Sequence, residues 1–292
     1  MALDILDREI QQAAEKYLKS LEENLSSDVV FFYGEIFPGV ERLFRDVVEG
    51  IASDGKDRRD SLAIILNTPG GSAETTEKLV RITRHHYSSV FFVVADSAMS
   101  AGTIWCMSGD KIFMDYSSAL GPIDPQVHNG TTFVPALNYL DKVAELIRRS
   151  SEGTLTQAEF IMLRELDLAE LRTYEQARDL TISLLEQWLV KYKFRAWSVH
   201  RSDPIKKGQP VTDDEKRERA REIAEKLNDT SLWHSHGRSI GMESLRDLLR
   251  LEIDDYTHDT ELRELIRQYN DMLAGYISRM GFKVFLHARN FF

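Results

Sequence analysis

Two loops of small residues, each behind an apolar run, hold the residue types that acyl transfer needs. Leu62-Ala63-Ile64-Ile65-Leu66 is followed by Asn67-Thr68-Pro69-Gly70-Gly71-Ser72. Val90-Phe91-Phe92-Val93-Val94 is followed by Ala95-Asp96-Ser97-Ala98-Met99-Ser100-Ala101-Gly102-Thr103. At the ends of neighbouring parallel strands, the first loop would present backbone N–H groups from Gly70 and Gly71. The second would present Ser100 at a helix start: a nucleophile beside an oxyanion hole. Each feature has a plainer reading. Pro69-Gly70-Gly71 is also an ordinary turn. It lacks the lysine of a phosphate-binding loop and the spacing of a dinucleotide fingerprint, so any anion it faces is transient. Ser100 could serve only as a helix N-cap, and Ser97 competes with it in the same loop.

A serine nucleophile needs a base, and a base needs orienting. Asp124 lies in Leu120-Gly121-Pro122-Ile123-Asp124-Pro125-Gln126, where a buried carboxylate would require a partner; the alternative is an Asp-Pro turn. His236, in Trp233-His234-Ser235-His236, has a side chain that exchanges protons near neutral pH. His234 and His236 have no third clustered ligand, so no metal site is expected. Lys142 is the rival base, since a desolvated lysine can deprotonate serine, and His128 is a third candidate.

The elements that must hold these residues follow from apolar spacing. A helix is expected from Ile5 to Leu25, where Ile5, Leu6, Ile10, Ala13, Ala14, Leu18 and Leu21 share a face. Strands are expected at Val29–Tyr33, Leu62–Leu66, Val90–Val94 and Lys111–Met114. Helices are expected at Val40–Ile51, Ser72–Tyr87 and Ser100–Met107. This alternation implies an α/β fold with a mainly parallel sheet. Beyond Gln126 the sequence turns helical and charged: Phe133–Ser150, a long helix from Thr156 to about Trp197, Asp213–Leu227, Met242–Leu251 and Leu262–Met280, then a last strand at Lys283–His287. The expected organisation is an N-terminal helix (1–27), a catalytic core (28–150), a helical insertion or extension (151–230) and a C-terminal part completing the core (231–292).

With 42% hydrophobic residues, the chain can build a substantial core. A formal net charge of -10 argues against nucleic acid as a partner. The one cysteine, Cys106, rules out an intrachain disulfide and suits a reducing compartment. The charged N-terminus does not read as a signal peptide, and no apolar window reaches membrane-spanning length. A cytoplasmic protein is expected.

The segments Thr68–Ser72, Ala98–Thr103 and Leu120–Gln126 together resemble the ClpP/crotonase superfamily. Within it they are most similar to the serine dehydrogenase proteinase family, beside the signal-peptide-peptidase A and NfeD-type peptidases. The resemblance covers Val29 to Gln126 and resumes weakly around His236. It implies a spiral of β-β-α units and an ATP-independent serine endopeptidase without a cofactor. Ser100 would be the nucleophile, and the N–H groups of Gly70, Gly71 and Ala101 would form the oxyanion hole. Relative to ClpP, the histidine and aspartate positions look exchanged, giving the order Ser100, Asp124, His236. In the signal-peptide-peptidase and NfeD relatives the base is a lysine, broadly where Lys142 lies. The resemblance also implies a peptide or protein substrate and a homo-oligomer; a membrane segment is common among the relatives, but the apolar pattern here leads to the expectation of no integral membrane segment. The competing functions are a crotonase-like acyl-thioester enzyme and an inert scaffold that binds a partner through its helical region.

Overall fold

A computed structural model describes residues 5–128, 131, 133–201 and 204–292. The chain opens with α1 (Ile5–Leu25) and then alternates β1 (Asp28–Gly34), α2 (Val40–Ala52), β2 (Ser61–Thr68), α3 (Ala73–His86), β3 (Ser89–Ala98), α4 (Ala101–Cys106) and β4 (Lys111–Met114). Three short strands follow: β5 (Ala119–Leu120), β6 (Gln126–His128) and β7 (Phe133–Pro135). The helical region holds α5 (Ala136–Ser151), α6 (Gln157–Arg164), α7 (Leu168–Trp188), α8 (Asp213–Asn228), α9 (Thr230–Trp233) and α10 (Met242–Asp247). The chain closes with β8 (Asp254–Asp255), α11 (Thr260–Met280) and β9 (Val284–His287).

The main sheet runs β8-β4-β3-β2-β1-β9, and β5 pairs with the far end of β3. All its pairings are parallel except β1 with β9. Alternate residues face opposite layers. Val30, Phe32, Ile64, Leu66, Phe92 and Val94 pack with α2, α3 and α4 on one side. Val29, Phe31, Ala63, Ile65 and Val93 pack with α1 and α11 on the other. Cover on both faces explains why these strands read as unbroken apolar runs. Trp105 of α4 is fully buried, edge-on to Phe32, Phe44 and Phe92 at centroid distances of 5.2, 5.3 and 5.7 Å. It anchors the helix that starts at the candidate nucleophile. Trp105→Ala would cost about 3–5 kcal/mol in cavity and transfer terms.

The helical region departs from its sequence expectation. The long helix from Thr156 is interrupted, because the Asp167 carboxylate accepts N–H bonds from Ala169 and Glu170 and so caps a new helix. Thr156 itself caps α6 in a reciprocal box with Glu159. Phe133-Val134-Pro135 is a hairpin strand against Gln126–His128 rather than a helix start, and α10 stops at Asp247. Leu184, Leu185, Trp188, Leu189, Ile223 and Leu227 are buried in the same core as the sheet, so this region adds a wall to the fold rather than a second core. Among the described residues, no helix is long and apolar enough to cross a membrane.

Candidate active site

The two small-residue loops meet where β2 and β3 end. The strands pair in parallel through Leu66↔Val94. After an irregularity they pair again at Thr68↔Ala98, and the Met99 N–H reaches the Thr68 carbonyl at 3.0 Å. Ser100 then turns the chain into α4 with φ 50 and ψ -115. A non-glycine residue there stores about 1–3 kcal/mol of strain, as found where a nucleophile is thrust out of a strand-to-helix turn. The Ser100 side chain makes no capping hydrogen bond, and the residue is half-buried. Its hydroxyl is therefore not spent on the N-cap role that the sequence left open.

Gly70 lies directly against this turn. A Cβ at Gly70 would stand 2.7 Å from the Met99 carbonyl oxygen, 2.8 Å from Ser100 Cβ and 3.2 Å from the Ala101 nitrogen, and its φ is +103. Gly71 has φ +142, and a Cβ there would meet the Ile36 carbonyl at 2.1 Å. Glycine is needed at both positions for conformation and for space. Ile36 holds the loop by donating to the Gly70 carbonyl and accepting from the Ser72 N–H, both at 2.8 Å. The Gly70 N–H is already engaged, donating to Thr68 Oγ1 at 3.0 Å. That removes one of the three donors expected from the sequence. The N–H groups of Gly71 and Ala101 have no acceptor among the described residues.

The Asp124 loop is pinned to the same turn. β5 pairs with Ser97 and Ala98. The Thr103 hydroxyl donates to the Ala98 carbonyl at 2.7 Å and accepts from the Gly121 N–H at 2.9 Å. A Cβ at Gly121 would come within 2.6 Å of Met99 Cε. The far C-terminal segment is fastened here as well. Leu120 and Ile240 exchange backbone hydrogen bonds at 3.0 and 2.8 Å, and the Ile123 N–H donates to the Leu227 carbonyl at 3.0 Å. Four residues before Ile240, His236 Nδ1 stands 2.9 Å from Asp124 Oδ1. Asp124 Oδ2 accepts from Gln126 Nε2 at 2.6 Å. The Asp124 side chain is 2% exposed and that of His236 27%. A buried carboxylate with each oxygen hydrogen-bonded has the partners that burial demands. With the proton on Nδ1, where the carboxylate accepts it, Nε2 carries the lone pair a base uses.

The rival base Lys142 has a different partner. Lys142, on α5, is 59% exposed and ion-paired with Glu145 at 2.8 Å. It has neither the desolvation nor the free amine that a lysine base requires. His128 is opposite Phe133 in the β6–β7 hairpin. Sequence reasoning missed Thr68, Thr103 and Gln126, which fix the donors, the loop and the carboxylate. Their signal is proximity: Thr68 two residues before Gly70, and Gln126 two after Asp124.

A family model described as ClpP-like SDH-type serine proteinase matches residues 42–196, more than half of the chain. The chain belongs to this family. It is 32% identical over 82 residues to an uncharacterized protein of Methanocaldococcus jannaschii, a match covering 28% of each chain. A second uncharacterized protein of that organism is 28% identical over 116 residues, or 40% of this chain and 38% of the relative. The chain thus spans well under half the length of these curated relatives. Among solved structures, the membrane-bound stomatin-specific protease 1510-N superposes with a TM-score of 0.46 at 14% identity, covering 81% of this chain and 82% of that one. ClpP1 of Listeria monocytogenes gives a TM-score of 0.32 at 17% identity, covering 57% of this chain and 81% of the other.

Proposed function

We propose that this chain is an ATP-independent serine endopeptidase acting on peptides or proteins, with no metal or cofactor in the reaction. Ser100 Oγ attacks the scissile carbonyl while His236 Nε2 takes its proton. Asp124 holds the imidazole in the required tautomer and stabilises the imidazolium that forms. The N–H groups of Gly71 and Ala101 receive the developing oxyanion, each worth about 3 kcal/mol of transition-state stabilisation. His236 then protonates the leaving amine, and water repeats the cycle on the acyl-enzyme. Membership of a serine proteinase family supports the reaction class. The observation that carries the residue assignment is the 2.9 Å Asp124–His236 bond, formed across 112 positions, on a loop that Thr103 ties to the turn bearing the strained, uncapped Ser100.

The test is labelling by a fluorophosphonate probe with the adduct mapped by peptide mass spectrometry. The expected adduct is on Ser100 and is absent from Ser100→Ala. Labelling elsewhere, or unchanged labelling of Ser100→Ala, contradicts the assignment. A folded wild-type chain that resists every acylating probe points instead to a non-catalytic scaffold. The proposed enzyme is a cytoplasmic homo-oligomer, and sedimentation showing only monomer at micromolar concentration would contradict that part of the proposal.

A further inference from the structure

A cavity of about 680 Å³ opens at the end of the sheet away from Ser100. Its wall includes Lys111 of β4, which is paired with Phe91 of β3, whereas Ser100 follows the opposite end of that strand at Ala98. The rise along β3 places the two sites roughly 20 Å apart. No residue of the candidate triad or oxyanion hole lines this cavity.

Three features of this cavity suit a ligand. The first is backbone shape. α7 runs into a single π-helical turn, Leu189–Lys193, in which the Phe194 N–H reaches back five residues to the Leu189 carbonyl at 2.7 Å. Such widened turns recur at functional sites because they re-aim side chains. Here Leu189 stays in the core while Lys193 and Phe194 line the cavity. The second is an aromatic wall. Phe194 and Trp197 meet edge-on at 5.5 Å, as do Trp197 and His200 at 5.7 Å, leaving Trp197 half-exposed. His200 Nε2 is buried 3.3 Å from Glu215 Oε1, without the alignment of a hydrogen bond.

The third feature is charge. Most ionised groups here are already matched: Lys206 with Glu215 at 2.6 Å, Lys111 with Asp254 at 3.7 Å, and Arg219 with Glu222. Asp110 is shared between Arg84 and Arg195, each at 2.8 Å. Among the described residues, the half-buried Lys193 has no salt-bridge partner, nor do Arg201 and Arg250 at the rim. Burial lowers the pKa of the Lys193 ammonium against the pull of Asp254, Glu252 and Asp110. A partly desolvated ammonium with no carboxylate at ion-pair distance can still gain from a direct contact with an incoming anion. The exposed acids Glu218 and Glu252, also on the wall, set a limit by opposing a highly charged guest.

We infer that this cavity binds a small anion of low charge that carries a planar ring and has the size of a nucleoside monophosphate. The ring would lie on Trp197 and the anion on Lys193, with Arg250 closing the rim. The volume falls within the roughly 300–1,000 Å³ usual for such ligands. This inference goes beyond the proposed peptidase reaction and is tested without it.

The experiment is isothermal titration calorimetry on the full chain with AMP, adenosine and inorganic phosphate as probes. Adenosine keeps the ring and phosphate keeps the anion. AMP is expected to bind saturably, and each fragment roughly tenfold or more weakly, because stacking and the charged contact contribute separately. Lys193→Met should weaken AMP roughly tenfold and leave adenosine unchanged, whereas Trp197→Ala should weaken both. Arg250→Ala, an exposed change, should weaken AMP alone. Thermal unfolding confirms that each variant is folded. No saturable AMP binding by the wild type up to about 10 mM would overturn the inference. So would AMP affinity indifferent to both Lys193→Met and Arg250→Ala, or phosphate binding as tightly as AMP.

Discussion

Two histidines of this chain sit in opposite settings. His236 is 27% exposed and shares its Nδ1 with a buried carboxylate. His287, on β9, is 1% exposed and shares a hydrogen bond with the neutral Tyr269 hydroxyl at 2.6 Å. Burial without an anion pushes His287 down to about 4, from the usual 6.5. It is therefore held neutral as part of the packing between β9 and α11. His236 has a fixed negative charge to stabilise its imidazolium and one ring edge reachable from solvent. A histidine works as a base when a protonated state is provided for, not merely when a histidine is present.

Removing the anion from His236 should have the largest effect. Asp124→Asn keeps the shape of the loop but permits the wrong tautomer, and amidase activity should fall on the order of 10⁴-fold. The melting temperature should stay near the wild-type value; an enzyme retaining most of its activity would erase the contrast between the two histidines. Acid probes the other site. His287 binds a proton in the unfolded chain below pH 6.5, but in the fold only near pH 4. Its contribution to stability is thus complete above pH 6.5 and lost as the pH falls towards 4, about 3 kcal/mol in all. Denaturant unfolding across that window should show the loss in the wild type and a flatter profile in His287→Gln. A change that spares the charge but loosens its seat is smaller. Gln126→Leu strips one hydrogen bond from Asp124 Oδ2, and kcat should drop roughly tenfold, in line with about 1.5 kcal/mol for a bond to a charged group. Tyr269→Phe removes only a neutral bond to His287, lowering stability by about 1 kcal/mol and leaving activity intact.

Much of this contrast could be read from the sequence on one side and little on the other. The strands holding Gly70, Gly71 and Ser100 are unbroken apolar runs, and doubly covered parallel strands leave that mark. Asp124 and His236 could be named as candidates from local composition, but their meeting could not. It depends on Leu120 bonding Ile240 and Ile123 bonding Leu227, long-range backbone contacts with no periodic signature. The short strands β5 to β8 were invisible for the same reason, since two or three residues carry no alternation. His287 was read only as part of a last strand, because nothing local tells a buried histidine from an exposed one. The break of the long helix at Asp167 has a local signal, since Asp is a favoured capping residue just as Thr156 is at the start of α6.

The central claim is that His236, and not Lys142, activates Ser100. The most direct measurement is the second-order rate of Ser100 acylation by a fluorophosphonate, compared among the wild type, His236→Gln and Lys142→Met. The structure predicts a rate near the wild-type value for Lys142→Met and a fall of at least roughly 10³-fold for His236→Gln. The reverse order, with Lys142→Met silent and His236→Gln still reactive, would contradict it.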